Sequence, residues 1–228
     1  FSILLTLSSV LLIVLVLMHK GRGGGLSDMF GGGVSSSLGG SSVAERNLAR
    51  ITVGPAVVWG ICVVALGKIG LPLAVQFASK GHRVIGADVS ERVVQLVNDA
   101  AVPFPGEADL DVKLKQAVTA GLLSATTDTA AAVAESEAVV VVVPLFVDAE
   151  GVPDFAWMDS ATRAIAAGLK PGTLVSYETT LPVGTTRNRW APMLEEGSGL
   201  TAGTDFSLVF SPERVLTGRV FADLRRYP

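Results

Sequence analysis

The sequence predicts an α/β protein in which a doubly wound parallel sheet is preceded by one or two transmembrane helices. Residues 1–18 and 51–67 form two apolar runs that contain no charged side chain. From residue 61 onward, short segments rich in Val, Ile and Ala alternate with segments of helical spacing. The two runs indicate membrane helices, and the alternation indicates parallel strands that are connected by helices.

The first apolar run has the length of a membrane helix. At about 1.5 Å per residue, residues 1–18 can just cross a hydrocarbon core of about 30 Å. A signal peptide is the alternative, but no basic region precedes the run and no small-residue cleavage site follows it. Lys20 and Arg22 follow the run and predict that the next loop is cytoplasmic.

A polar segment separates the two apolar runs. Its first part, residues 21–42, is rich in Gly and Ser and lacks the Gly-Lys-Ser/Thr ending of a phosphate-binding loop. Ser42 followed by Glu45 is a capping-box pattern, which predicts a short helix over residues 44–50. The second run, residues 51–67, follows at once, so residues 1–60 are predicted to form a membrane segment.

This membrane segment resembles the SecG subunit of the bacterial preprotein translocase. The resemblance covers residues 1–66 and rests on HKGRGGGLSDMFGGG, on SSVAERNLARIT and on the flanking apolar runs. It implies a two-helix hairpin in the inner (cytoplasmic) membrane that contacts the lipid bilayer and the SecY and SecE channel subunits and assists protein export. It implies no catalytic residue. An unrelated two-helix membrane hairpin is the alternative.

Charge and cysteine content exclude several classes of function. A formal net charge of −3 lacks the surplus of Lys and Arg that a nucleic-acid binder needs, so no nucleic-acid partner is expected. The single cysteine, Cys62, excludes an internal disulfide and a cysteine-based metal cluster, and no metal site is predicted. Because Cys62 lies inside an apolar run, it is predicted to be a small buried hydrophobic residue.

The downstream part, residues 61–228, is predicted to be a separate domain with about six strands. The Val-rich strand at residues 138–143 is typical of the centre of a parallel sheet, whereas residues 101–107 contain two prolines and are predicted to be a loop. The predicted strands cover residues 61–65, 83–87, 122–126, 138–143, 173–177 and 206–210. The predicted helices cover residues 69–79, 91–98, 110–120, 129–135, 157–169 and 185–194.

The turn after the first predicted strand reads ALGKIG over residues 65–70, one substitution from the Gly-x-Gly-x-x-Gly fingerprint of a Rossmann-like sheet. Ala65 replaces the first glycine and is expected to fit only if its φ is negative. Gly67 lets the backbone approach a pyrophosphate, and Gly70 permits close helix–strand contact. Asp88 ends the second strand where a carboxylate binds both ribose hydroxyls, which favours NAD over NADP. A structural turn beside a solvated aspartate is the alternative.

Further segments give a second family resemblance. They are GKIGLPLAVQFASKGHRVIGADV, PFPGE, VVVVVP, SYETTLPVGTTR and FSPERVLTGRVFADLRRYP. Together they resemble the UDP-glucose/GDP-mannose dehydrogenases, and within that group the enzymes that oxidise UDP-N-acetyl-mannosamine or a related sugar to its uronate. The resemblance covers residues 61–228, which correspond to only the amino-terminal NAD domain of a normally much longer protein.

The resemblance implies a role for each matching residue. Glu213 is the expected catalytic acid/base or water-positioning carboxylate, and Thr180 is expected near the nicotinamide. A salt bridge for Glu213 and a strand-end cap for Thr180 are the alternatives. The residues expected at the cofactor are Gly67, Lys68, Ile69, Gly70, Asp88 and Thr180. The residues expected at the UDP-sugar are Glu213, Arg214 and Val215.

Two features limit the expected activity. The family usually has a hydroxyl residue after the proline that ends the fourth strand, but here Leu145 follows Pro144, which removes a cofactor hydrogen bond. The family reaction oxidises the sugar C6 alcohol to a carboxylate with two NAD, and it needs a cysteine nucleophile with a nearby lysine and asparagine. Those residues belong to the half of the family that residues 61–228 do not match, and Cys62 cannot replace the nucleophile. NAD binding without completed catalysis is expected.

Residues 61–67 satisfy both patterns, yet one segment cannot be a membrane helix and a strand. If residues 51–67 span the membrane, the sheet loses its first strand and the domain emerges on the outer face. If residues 61–65 form the strand, residues 1–18 are the only anchor and the nucleotide domain is cytoplasmic. Lys68 ends the run at the short limit for a span, so the strand is favoured. The abrupt switch indicates a fusion of two unrelated segments.

Overall fold

The computed structural model describes residues 60–224 and 226. The predicted membrane helix at residues 1–18, the loop at 21–42, the helix at 44–50 and most of the apolar run at 51–67 lie outside the described residues. Within the described part of the chain, no helix combines the length and the apolar character that crossing a membrane requires.

Among residues 60–224, eight strands form a six-stranded parallel sheet and a small antiparallel hairpin. In chain order they are β1 (Gly60–Val64), β2 (Arg83–Ala87), β3 (Leu123–Thr126), β4 (Ala138–Val141), β5 (Phe146–Val147), β6 (Pro153–Asp154), β7 (Leu174–Tyr177) and β8 (Ser207–Phe210). The main sheet has the order β3-β2-β1-β4-β7-β8, and β5 pairs with β6. This is the order of a complete Rossmann sheet, whose direction of winding reverses between β1 and β4.

The described part of the chain contains seven α-helices and one π-helical segment, all of which, except the last α-helix, lie between strands. The π-helical segment, Thr186–Trp190, leads directly into the helix that follows it. The α-helices are α1 (Gly70–Ser79), α2 (Glu91–Asn98), α3 (Leu110–Thr119), α4 (Thr129–Ala134), α5 (Ala156–Gly168), α6 (Ala191–Ser198) and α7 (Val220–Asp223).

The central strand β1 contributes to both hydrophobic cores because its side chains alternate between the two faces of the sheet. Ile61 and Val63 pack with residues of α1 and α3 on one face. Cys62 and Val64 pack with residues of α5 and α6 on the other face. Burial of each branched side chain stabilises the fold by about 1.5–3 kcal/mol.

The structure decides between the two interpretations of residues 51–67. Gly60–Val64 is a strand that pairs in parallel with β2 on one side and with β4 on the other. An uninterrupted membrane helix over residues 51–67 is therefore wrong, since a strand in the middle of a sheet uses its backbone hydrogen bonds for its neighbours. Cys62 is fully buried, as predicted, and burial raises the pKa of its thiol to about 12.

Several predicted boundaries differ from the structure. The predicted strand at residues 138–143 ends earlier, at Val141. The hairpin of β5 and β6 was not predicted, because each of its strands has only two residues. The predicted helix at residues 185–194 begins as a π-helix. In this wider turn, the neighbouring residues Arg189 and Trp190 both donate hydrogen bonds to Asp159 of α5.

Candidate dinucleotide-binding site

The candidate site lies at the carboxyl edge of the sheet, where all six parallel strands end. Ligands of open α/β sheets bind in the crevice at this edge, at the point where the strand order reverses. That point lies between β1 and β4, which are neighbours here. The turn at residues 65–70 follows β1, Asp88 follows β2, and residues 178–180 follow β7.

Ala65 begins the turn in a left-handed backbone conformation, with a φ of +76°. The expectation of a negative φ is therefore wrong. The chain must reverse sharply between β1 and α1, and the Ala65 N–H donates to the Ala87 carbonyl oxygen at 2.8 Å. A left-handed conformation costs an L-residue about 1–2 kcal/mol, a cost that the small alanine side chain tolerates.

Gly67 and Gly70 differ in what surrounds them. A Cβ atom built on Gly67 would meet no atom within 4 Å, so the backbone of this exposed residue is open to a ligand. A Cβ atom on Gly70 would overlap the Ala65 carbonyl oxygen and would lie 2.8 Å from Val142 Cγ2. Only glycine therefore permits the close contact of α1 with the ends of β1 and β4.

The amino terminus of α1 follows this turn directly, and the Leu71 N–H of its first turn donates to the Gly67 carbonyl oxygen at 3.1 Å. Ile69 is the residue before the helix, no side chain caps it, and the first turn of α1 contains no acidic residue. Lys68, next to Ile69, is exposed. The backbone N–H groups of the open turn and the positive end of the helix dipole favour an anion, so this turn fits a pyrophosphate.

Asp88 connects the end of β2 to the glycine turn. Its Oδ2 accepts a hydrogen bond from the Leu66 N–H at 2.7 Å, and its Oδ1 accepts one from the Ser90 N–H at 2.9 Å. The side chain is half-buried. Asp88 is thus not an ordinary solvated aspartate, because its carboxylate holds the turn in place at the edge of the site.

The two threonines after β7 have different surroundings. Thr180 is exposed, and no side-chain hydrogen bond of Thr180 is found among the described residues. The preceding Thr179 donates a hydrogen bond through its Oγ1 to the Val143 carbonyl oxygen at 2.7 Å. The role of strand-end cap therefore belongs to Thr179. Leu145 does not bring a hydroxyl to the site and packs against the core instead.

Glu213 follows β8 and lies beside the end of β7. Its N–H donates to the Glu178 carbonyl oxygen at 2.9 Å. Its Oε2 accepts the Val215 N–H at 2.9 Å, so the carboxylate is held against its own loop. Among the predicted sugar-site residues, Glu213 and Val215 are half-buried and Arg214 is exposed.

Glu178 was not predicted from the sequence as a site residue. It is half-buried, and Ser176 Oγ donates to its Oε1 at 3.3 Å. Burial, and secondarily the nearby charge of Glu213, raise the pKa of Glu178 to about 7, whereas the Ser176 hydrogen bond acts in the opposite direction. Its position directly after the predicted strand at residues 173–177 could have indicated a place at the carboxyl edge.

The strand order, the glycine turn, the uncapped helix and the bonded Asp88 define the class of this part of the chain, an NAD-binding Rossmann domain. Residues 59–228 match the NAD-binding domain of the UDP-glucose/GDP-mannose dehydrogenase family, and residues 1–87 match the preprotein translocase SecG subunit. The chain belongs to the UDP-glucose/GDP-mannose dehydrogenase family through its NAD-binding domain, and its amino-terminal part belongs to the SecG family.

Individual relatives agree with both matches. The UDP-N-acetyl-D-mannosamine dehydrogenase of Pyrococcus horikoshii is 36% identical over 164 residues, which are 72% of this chain and 38% of that protein. The protein-export membrane protein SecG of Streptomyces coelicolor is 67% identical over 69 residues, 30% of this chain and 68% of that protein. The ternary-complex crystal structure of the Pseudomonas aeruginosa GDP-mannose dehydrogenase gives a TM-score of 0.69 at 30% identity, covering 72% of this chain and 38% of that one.

The two family matches overlap over residues 59–87. Within the described part of that overlap, the structure contains β1, α1 and β2 of the NAD-binding domain. The chain spans 38% of the length of the Pyrococcus dehydrogenase. The similarity to dehydrogenases therefore concerns the cofactor domain.

Proposed function

We propose that the described domain binds NAD as the cofactor part of a nucleotide-sugar 6-dehydrogenase, which would oxidise the C6 alcohol of a UDP-sugar to a carboxylate. The observation that carries the proposal is the glycine turn, which is open at Gly67 and held by Asp88 through the Leu66 N–H at 2.7 Å. This arrangement offers backbone donors and a carboxylate at the spacing that a dinucleotide requires.

The glycine turn and Asp88 would hold the pyrophosphate and the ribose of the adenosine diphosphate portion. The backbone N–H groups of Gly67, Lys68 and Ile69 would donate to the pyrophosphate, and Asp88 would accept hydrogen bonds from the ribose hydroxyls. Thr180 would lie near the nicotinamide, which supplies a hydride acceptor when the cofactor is bound. The negative charge of Asp88 would repel a 2′-phosphate, so NADP would bind less tightly.

The loop after β8 would face the sugar nucleotide. Arg214 brings a positive charge to this loop, the sign that a nucleotide diphosphate needs. Glu178 and Glu213 bring two carboxyl groups to the ends of neighbouring strands, and the pKa of Glu178, raised by burial to about 7, leaves both its neutral and its charged form populated near pH 7. Such a pair can hold a proton beside a hydroxyl group of the substrate.

The single cysteine of the chain is not a candidate nucleophile. Cys62 is fully buried in β1, and burial raises the pKa of its thiol to about 12. A thiolate is the reactive form, and it is strongly disfavoured at this position. The proposed role of the domain is therefore cofactor binding and substrate positioning.

A second proposed function concerns the amino-terminal part. We propose that residues 1–58 tether the NAD-binding domain to the inner membrane and contact the SecY and SecE subunits and the lipid bilayer. The 67% identity to the Streptomyces coelicolor SecG over 69 residues favours this role. Deletion of residues 1–50 should reduce protein export in cells that depend on this chain, and unchanged export would contradict the role.

Cofactor titration of the purified full chain in detergent micelles tests the first proposal. The wild-type chain should bind NAD and should bind NADP more weakly. Asp88→Asn should weaken NAD binding and reduce the preference over NADP, each by about tenfold, because the substitution removes one charge from the ribose site. The matched control is Asp99→Asn, an exposed aspartate at the end of α2, which should leave both affinities unchanged. Absent NAD binding, or equal affinities for wild type and Asp88→Asn, would contradict the proposal.

A further inference from the structure

The segment between β8 and α7, residues 211–219, crosses from one end of the sheet towards its centre, and we name it the strap. β8 is the outermost strand, whereas α7 packs against α1, the helix that follows β1. Three inter-strand spacings separate β8 from β1, about 14 Å in total. The strap therefore passes along the carboxyl edge and carries Glu213 with it.

The strap is anchored at its start by the end of β7. The Ser211 N–H donates to the Tyr177 carbonyl oxygen at 3.0 Å, and the Glu213 N–H donates to the Glu178 carbonyl oxygen at 2.9 Å. These bonds continue the pairing of β8 with β7. They fix the backbone of Glu213, while the rest of the strap depends on contacts at its other end.

Glu107 holds that other end with both of its carboxylate oxygens. Oε2 accepts the Gly218 N–H at 2.7 Å, and Oε1 accepts the Val220 N–H at 2.8 Å. Gly218 has a φ of +92°, and a Cβ atom there would lie 3.1 Å from the Gly106 carbonyl oxygen. A carboxylate that accepts two backbone N–H groups is a charge-assisted clamp.

Two further contacts secure the chain after the clamp. Phe221 is 5% exposed and packs in the core beside α1 and α3, with the Lys113 ammonium 5.0 Å from its ring centre. Asp223 is 1% exposed and accepts hydrogen bonds from the Leu216 N–H at 3.1 Å and from the Arg219 guanidinium at 2.8 Å. The end of the strap is therefore held by the buried side chains of Phe221 and Asp223.

We propose that Glu107 is a positioning residue that holds the far end of the strap and thereby keeps the Glu213 carboxyl group beside Glu178 at the carboxyl edge. That this positioning serves a bound substrate rests on the proposed function. The two hydrogen bonds that Glu107 accepts do not depend on that function. Glu107 lies 106 residues before Glu213 in the chain and acts on it only through the strap. Without the clamp, Gly218 and Val220 lose their acceptors and the strap loses its connection to the loop at residues 101–109.

The test compares Glu107→Ala and Glu107→Gln with wild type in the full chain in detergent micelles. The control is Asp111→Asn, because Asp111 lines the same surface cavity of about 370 Å³ as Glu107. Amide hydrogen exchange over residues 213–220 reports the order of the strap. Exchange should accelerate by about tenfold or more in Glu107→Ala, less in Glu107→Gln, which keeps one acceptor oxygen, and not in the control.

A second measurement, carboxyl ¹³C titration of Glu178, separates positioning from general stabilisation. If Glu107 only stabilised the fold, the titration midpoint of Glu178 would not change. In Glu107→Ala the titration midpoint of Glu178 should move down, because the loosened strap no longer holds the Glu213 carboxyl group at the Val215 N–H and water reaches the site. Glu107→Gln should move it in the same direction by a smaller amount, which keeps the test usable if Glu107→Ala does not fold. Unchanged strap exchange or an unchanged Glu178 midpoint in both variants overturns the proposal.

NAD affinity, measured on the same samples, separates this proposal from the proposed function. Asp88 accepts the Leu66 and Ser90 N–H groups, whereas Glu107 accepts the Gly218 and Val220 N–H groups, so NAD affinity in the Glu107 variants should stay within about twofold of wild type. If wild type does not bind NAD, the proposed function fails while the exchange result still decides the role of Glu107.

Discussion

At the scale of single residues, the turn between β1 and α1 stores a small backbone strain at Ala65. Its φ of +76° lies in the left-handed region, which a Cβ atom disfavours. The strain persists because the Ala65 N–H bonds the end of β2 and the Ala65 carbonyl oxygen lies against Gly70. The turn therefore keeps the shape of the dinucleotide fingerprint although its first glycine is missing.

Ala65→Gly should stabilise the domain by about 0.5–1 kcal/mol, since the relief of left-handed strain exceeds the added entropy of a glycine in the unfolded chain. Urea unfolding of the full chain measures the change. Ala100→Gly is a second variant that tests the same effect outside the site, because Ala100 also has a positive φ, +56°, but lies at the end of α2. Both variants should gain stability, and a loss of stability in Ala65→Gly would contradict this account of the turn.

At the scale of elements, one buried carboxylate joins α5 to the π-helical segment. Asp159 accepts two hydrogen bonds from the Arg189 guanidinium, at 2.8 and 2.6 Å, and one from Trp190 Nε1 at 3.0 Å. Trp190 stacks on Tyr177 of β7 with ring centres 4.5 Å apart, and Tyr177 shares a 2.7 Å hydrogen bond with Thr162. We name this set of contacts around Asp159, Arg189 and Trp190 the joint. It fixes the helical segment that begins after the loop carrying Thr180.

Asp159→Asn should destabilise the domain by about 2–3 kcal/mol at pH 7, because a neutral amide cannot accept all three hydrogen bonds and leaves Arg189 without its counter-charge. Denaturant unfolding measures the change. Glu150→Gln, at an exposed glutamate in the β5–β6 hairpin region, is the control and should change stability by less than about 0.5 kcal/mol. A wild-type value in Asp159→Asn would contradict the role of the joint.

The same joint makes the stability of the domain depend on pH in a defined direction. The hydrogen bond from Arg189 is the largest cause that lowers the pKa of Asp159 in the folded state. A lowered folded pKa stabilises the native state above the unfolded pKa, and this stabilisation is lost as the pH falls through the folded pKa. Wild type should therefore lose stability more steeply below about pH 4 than Asp159→Asn does.

At the scale of the whole molecule, local patterns predict the sheet but not the contacts between distant segments. The strand Arg83–Ala87 and the helix Glu91–Asn98 have the predicted bounds, since β-branched residues and the Ser90 cap act locally. The left-handed φ of Ala65, in contrast, depends on the packing of α1 against β1. The clamp at Glu107 depends on residues 111 and 113 positions away, which no sequence period connects.

The sheet also explains why the segment with two possible structures is a strand. β1 lies between β2 and β4 and pairs with both. If residues 60–64 left the sheet, β2 and β4 would each expose a row of unpaired backbone groups, and both hydrophobic cores would lose their central strand. The downstream domain therefore determines the structure of a segment whose composition alone permits a membrane helix.

The most direct test of this central claim uses the single cysteine, Cys62, which lies in the middle of β1. Selective ¹³C-cysteine labelling of the full chain in detergent micelles gives one residue-specific signal. Strand geometry should shift its Cα resonance below and its Cβ resonance above the random-coil positions, and adding NAD should leave the signal strand-like. The opposite pair of shifts, which a helix produces, would contradict the placement of Gly60–Val64 in the sheet and with it the account of the NAD-binding domain.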